Sequence, residues 1–321
     1  MTAFRRAALT AFALVVAASA QAQSLLARGD VLVQISETGA SIDETPPESA
    51  LIQYAPDGTE KRKLPRALEA RYGLLTPSPN RLLSSQFGSV VISDDASTIA
   101  DRVLESLNLR ELSEVVTNRA GELFVAETIG RARHLPARLV RFSAAGEVLR
   151  VYSLELLPRG SSITWSAGPA HMELLADQCT LVYTLGDELL DARRVMRFDV
   201  CTGHPMPDLL ALAPRFGMGG SVRQLPNGDI LIATARDVRR FDSSGKLVLV
   251  YRVPAVRIAL TPEATGFWFA DNFFLQRIDF ANPDVIAERV VLPPLGNVLA
   301  LAVVGEWRAA ANFVKRRPVR K

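Results

Sequence analysis

The sequence predicts an all-β fold, a β-propeller of four-stranded antiparallel blades, with six blades fitting the 321 residues best and seven also fitting. Three observations predict it. First, one cassette recurs: a hydrophobic strand, Arg-Phe-Asp or a variant, a Gly turn and a second strand. It reads Leu139-Val-Arg-Phe-Ser-Ala-Ala-Gly146, Val195-Met-Arg-Phe-Asp-Val-Cys-Thr-Gly203, Val238-Arg-Arg-Phe-Asp-Ser-Ser-Gly245 and Leu275-Gln-Arg-Ile-Asp-Phe-Ala-Asn282, with a fainter copy at Leu51-Ile-Gln-Tyr-Ala-Pro-Asp-Gly58. Second, the anchors Phe142, Phe198, Phe241 and Ile278 lie 56, 43 and 37 residues apart, the interval of a blade. Third, Ser221–Val253 spells one whole unit: Val222–Leu225, an Asn227-Gly228 turn, Asp229–Thr234, Asp237–Phe241, a Ser244-Gly245 turn and Lys246–Val253.

In chain order, Arg5-Arg6, the apolar run Ala7–Ala18 and Ala20-Gln21-Ala22 form the charged, apolar and small-residue regions of a signal peptide over residues 1–22. The run is too short for a spanning helix, which needs about 20 apolar residues. Cleavage near Ala22 places the mature chain in the periplasm or outside the cell. Residues 23–308 then form a single propeller domain. Tyr54 marks the first blade, and a degenerate blade fits between about Phe87 and Leu112. Within it, Thr98–Glu114 carries a partly helical period through Ile99, Val103, Leu104, Leu107, Leu109 and Leu112. Val115–Asn118 and Leu123–Ala126 open the Phe142 blade, and Ile258–Thr261 with Gly266–Ala270 open the Ile278 blade. Val298–Val304 has no partner downstream, so it closes the ring against strands around Val31–Ile35. Residues 309–321 form a basic tail.

The formal charge of +3 is an end effect. Without Arg5, Arg6, Lys315, Arg316, Arg317, Arg320 and Lys321 the remainder carries −4, so no basic nucleic-acid face is expected, and the body reads as a monomer. Cys179 and Cys201 flank two strand-like segments, Thr180–Thr184 and Arg194–Val200. A hairpin would set them opposite each other at its open end, about 4.5 to 5.5 Å apart at Cα, within reach of a disulfide. No CxxC spacing or neighbouring Cys or His cluster supports a redox-active or metal-binding pair.

The segments Cys179–Thr184, Met196-Arg-Phe-Asp-Val-Cys-Thr-Gly203, Leu225–Ala233 and Gly266-Phe-Trp-Phe-Ala-Asp271 resemble uncharacterised secreted bacterial propellers related to NHL, YVTN and virginiamycin-B-lyase-like repeats of the six-bladed, TolB-like kind. The resemblance spans about residues 115–305. It implies a propeller fold and, where members are enzymes, a His base beside metal-binding carboxylates.

Candidate chemistry concentrates on the face formed by the second-to-third-strand loops and the blade-to-blade connections, where propellers place ligands. Glu127, Asp271 and Asn272 are the candidate oxygen ligands for Ca2+ or Mg2+, and His171 is the candidate base. This layout is similar to that of the gluconolactonase and regucalcin type, in which a metal polarises a lactone carbonyl. Phe273-Phe274 falls in such a loop and reads as an exposed binding element for a protein or glycan partner. His is scarce, and no Gly-x-Ser-x-Gly, phosphate loop or His-Glu-x-x-His occurs. The sequence therefore favours a non-catalytic binding or scaffolding module, with a divalent-metal-dependent lactonase- or lyase-like enzyme as the alternative.

Overall fold

A computed structural model describes residues 26–36, 49–64, 73–78, 81–86, 89–93, 102–105, 111–128, 137–154, 169–185, 194–211, 219–234, 236–255, 257–271, 273–293 and 297–307. Among the described residues, twenty-four strands fall into six four-stranded antiparallel sheets. The first combines β1 (Val31–Ser36), β2 (Ser49–Tyr54) and β3 (Glu60–Lys63) with the last strand, β24 (Val298–Val303). The second holds β4 (Gly73–Ser78), β5 (Arg81–Gln86), β6 (Ser89–Ser93) and β7 (Arg102–Glu105). The third holds β8 (Glu111–Thr117), β9 (Leu123–Thr128), β10 (Ala137–Phe142) and β11 (Val148–Leu154). The fourth holds β12 (Pro169–Leu174), β13 (Thr180–Leu185), β14 (Arg194–Asp199) and β15 (His204–Ala211). The fifth holds β16 (Gly219–Gln224), β17 (Ile230–Thr234), β18 (Val238–Phe241) and β19 (Leu247–Tyr251). The sixth holds β20 (Arg257–Leu260), β21 (Gly266–Ala270), β22 (Phe274–Asp279) and β23 (Ile286–Val291).

The strands β4, β8, β12, β16, β20 and β24 touch one another in that order and back to β4, so they ring a central axis as the innermost strand of each sheet. Ring closure follows the sequence expectation: β24 pairs antiparallel with β1, Val31 opposite Val303 and Ile35 opposite Val298. The degenerate blade begins earlier than expected, at Gly73. Thr98–Glu114 corrects the helical reading where it is described: Arg102–Glu105 is a strand, and Glu111 opens β8. An apolar period of three to four over so few residues does not separate a helix from buried strands.

The cassette positions explain themselves in packing. Phe142, Phe198, Phe241 and Ile278 are all buried between sheets. The adjacent arginines pair across strands, Arg141 with Glu122 at 2.6 Å and Arg240 with Asp229 at 2.7 Å. Seams between neighbouring sheets carry the core. Tyr251 meets Phe267 edge-on at 5.1 Å between centroids, and Trp268 packs with Val31, Val33 and Tyr54 across the closing seam. Each large side chain buried this way contributes on the order of 2 to 3 kcal/mol.

The Cys179–Cys201 disulfide forms, with Cα atoms 5.2 Å apart. It joins the β12–β13 turn to the β14–β15 turn. Gln178, at φ 66°, holds the left-handed turn position that glycines such as Gly228 hold in other sheets. Replacing both cysteines by alanine is expected to lower the unfolding free energy by about 3 kcal/mol, read by urea denaturation, in keeping with a loop of 22 residues.

Candidate functional site

In every sheet the first-to-second and third-to-fourth turns share one face, here the turn face, and the second-to-third loops share the other with the sheet-to-sheet connections, here the loop face. All six innermost strands therefore leave the loop face in parallel and turn one flank toward the axis.

A chain of charged side chains fills that axis. From the loop face inward, Arg257 on β20 donates from Nη1 to the His171 imidazole on β12, 2.6 Å from Nδ1. His171 Nδ1 stands 3.6 Å from Oε2 of Glu114 on β8, and Glu114 Oε1 stands 3.6 Å from Nη2 of Arg223 on β16. Arg223 reaches Glu173 of β12 at 4.0 Å, and its Nε donates to Glu306 Oε1 at 2.9 Å just beyond β24. Backbone amides complete the carboxylates: Met172 N–H donates to Glu114 at 2.6 Å, and Leu260 N–H to Glu306 at 2.7 Å. Glu114, His171, Glu173, Arg223 and Glu306 are all buried. Three of the five side-chain contacts, Arg257–His171, Glu114–Arg223 and Arg223–Glu306, pass over a neighbouring strand and so tie non-adjacent sheets across the axis. Charges this buried persist only when paired and hydrogen-bonded.

Burial, with the Arg257 guanidinium beside it, pushes the His171 imidazole down to about 4, against the upward pull of Glu114. At neutral pH the ring is uncharged and serves as an acceptor for Arg257. Its 3% exposure encloses the imidazole among these partners.

The other residues selected from the sequence lie elsewhere. Asp271 follows β21 on the loop face, where its Oδ1 accepts the backbone N–H groups of Phe273 and Phe274, both at 2.7 Å. That carboxylate caps its own loop. Glu127 lies in β9, opposite Leu112 and Arg138, and its side chain is outside the described residues, as is Asn272. The structure brings His171 together with Glu114 and Arg257, not with Asp271. Phe273 is exposed at 68%, and Phe274 lies partly covered beneath Arg289, whose guanidinium carbon stands 3.8 Å from the ring centroid. Cys179, Asp199 and Cys201 form a further cluster on the turn face.

Sequence reasoning found His171 but missed Glu114, Glu173, Arg223, Arg257 and Glu306. A signal was present. In the third to sixth sheets the innermost strand carries a charged residue among buried neighbours, as in Glu114-Val115-Val116, Met172-Glu173-Leu174, Val222-Arg223 and Arg257-Ile258. A charge inside a buried strand needs a partner, and six such strands meet at one axis.

No family model matches the chain, and no curated protein matches it. Among solved structures, a protein of unknown function from Bacteroides caccae is similar, with a TM-score of 0.63 and 13% identity over 86% of this chain and 98% of that chain. At that identity the likeness concerns the fold alone, a propeller arrangement of four-stranded antiparallel blades.

Two outcomes follow for the channel. Arg223→Met removes the buried cation that Glu114, Glu173 and Glu306 share and is expected to destabilise the protein by about 3 to 5 kcal/mol in chemical denaturation. For His171, the folded-state pKa lies below the unfolded value near 6.5, so between about pH 6.5 and 4 the unfolded chain binds more protons. Stability from this group is complete above that window and falls as pH drops through it. His171→Gln is expected to remove this part of the acid slope, measured as unfolding free energy against pH.

Proposed function

We propose that the protein works in the periplasm or outside the cell, after cleavage near Ala22, as a non-catalytic propeller that binds or scaffolds a protein partner on its loop face. One observation carries the reading. Phe273 and Val291, at 68% and 75%, are the most exposed large apolar side chains among the described residues, and they are neighbours at one corner of that face. Phe273 C=O accepts the Leu292 N–H at 2.8 Å, and Val291 is opposite Phe274 in the β22–β23 ladder. Apolar groups held out together by ordered backbone favour a covering surface, and aromatic residues with a flanking arginine typify interaction anchors. A sugar would need hydroxyl partners around the ring, and Val291 supplies none, so a protein surface is the better match. The relation to NHL, YVTN and virginiamycin-B-lyase-like repeats belongs to this proposal and rests on the recurring cassette.

A photo-crosslinking residue at Phe273, in the producing cells, is expected to give a discrete, protease-sensitive adduct that the same residue at Ser244 on the turn face does not give. Equal labelling at both positions would sink the docking reading, and a glycosidase-sensitive adduct would replace the protein partner by a glycan. A calcium thermal-shift titration separates the enzyme alternative: no rise in Tm is expected, whereas a saturable rise with one ion per chain would reinstate a Ca2+- or Mg2+-dependent lactonase- or lyase-like activity.

A further inference from the structure

The turn face carries a cluster that spacing along the chain conceals. Two stretches share one pattern, Asp177-Gln178-Cys179 and Asp199-Val200-Cys201, and each aspartate accepts the backbone N–H of the cysteine two residues on, at 3.0 and 2.8 Å. The Cys179 and Cys201 sulfurs and an Asp199 carboxylate oxygen lie within 4.8 Å of one another. Cys201 is exposed, while Cys179 and Asp199 are half-buried. The β14–β15 turn, made through Gly203 at φ +85°, brings His204 back opposite Asp199 in the ladder, close enough for its charge to act on that carboxylate.

We propose that reduction of the Cys179–Cys201 disulfide creates a site for a soft divalent cation such as Zn2+, held by both thiolates and Asp199. While the sulfurs are bonded to each other they offer no thiolate. An external dithiol supplies two electrons: one of its sulfurs attacks the bridge, the second closes the dithiol's own disulfide, and Cys179 and Cys201 each emerge as a thiol. The cation then takes both sulfurs as thiolates and releases their two protons. With Cα atoms 5.2 Å apart, the two sulfurs reach one ion from their present turns, since Zn–S bonds span about 2.3 Å.

The surrounding charge explains why the reduced pair needs a cation. Burial and the Asp199 charge push the Asp177 carboxyl up, but hydrogen bonds from Thr180 and the Cys179 N–H outweigh them and hold it below its ordinary value. Backbone N–H groups keep the Asp199 carboxyl below its own, so both are anionic. Two thiolates added beside two carboxylates would repel one another. Two arginines beside these turns bond backbone carbonyls: Arg150 donates to Thr202 C=O at 3.3 Å, and Arg119 to Ala176 C=O at 3.3 Å. A divalent ion removes the repulsion and satisfies the thiophilic preference together.

Cobalt titration of the full chain, before and after reduction with a phosphine, tests this. One equivalent giving thiolate-to-cobalt absorption is expected only after reduction. Cys201→Ser should abolish it, and Asp199→Asn should weaken binding by at least about tenfold. Absent thiolate bands, or unchanged affinity in the Asp199 variant, would overturn the site. A second readout holds even if the reduced chain loosens: in a glutathione redox buffer, zinc should raise the fraction of Cys179 and Cys201 that is reduced, read by alkylation after quenching with a denaturant and a chelator, and no effect of zinc would count against the proposal.

Discussion

The rest of the fold depends on the pairing of β24 with β1. These strands come from opposite ends of the described chain, and their ladder turns a row of sheets into a ring. Closure places Trp268 of the sixth sheet against Val31, Val33 and Tyr54 of the first. It also carries Glu306, three residues past β24, into reach of Arg223 and the Leu260 amide. Without this ladder β1 and β24 would each present an unpaired backbone edge, and the core across that seam would be open to water.

The charged axis is a consequence of the ring. Six parallel innermost strands turn their inward flanks to one axis. Long side chains from β8, β12, β16 and β20, with Glu306 beyond β24, cross it and end in complementary charges. Their attraction is strong in low dielectric, and their desolvation is costly, so the network specifies which sheets face one another more than it adds net stability. His171 belongs to this network as a neutral acceptor, which is a different chemical state from that of a titrating base near neutral pH.

Local residues made much of the fold legible. The Asn227-Gly228 and Ser244-Gly245 turns, the cassette phenylalanines and the hairpin between Cys179 and Cys201 depend on neighbours within one sheet, and each emerges in the structure as its sequence implies. The region around Ile99–Leu112 was harder, because short apolar strands there lack the turn residues that mark the others. The axis was hardest. Glu114, Glu173, Arg223 and Glu306 come from four different sheets and meet only after closure, so no local spacing announces them. The same holds for Asp199 beside the disulfide, where two turns rather than a motif make the juxtaposition.

A ring clasped by its own two ends has a consequence for the order of events during biogenesis. The strand β1 is made before its partner β24, which emerges some 260 residues later, so no nascent chain that stops before Val298 can finish the first sheet. Such long-range contacts make folding slow and postpone commitment until β24 has been made. Chains cut short before Val298 would stay unclasped and open to proteases, so the clasp itself tests whether a chain extends through β24.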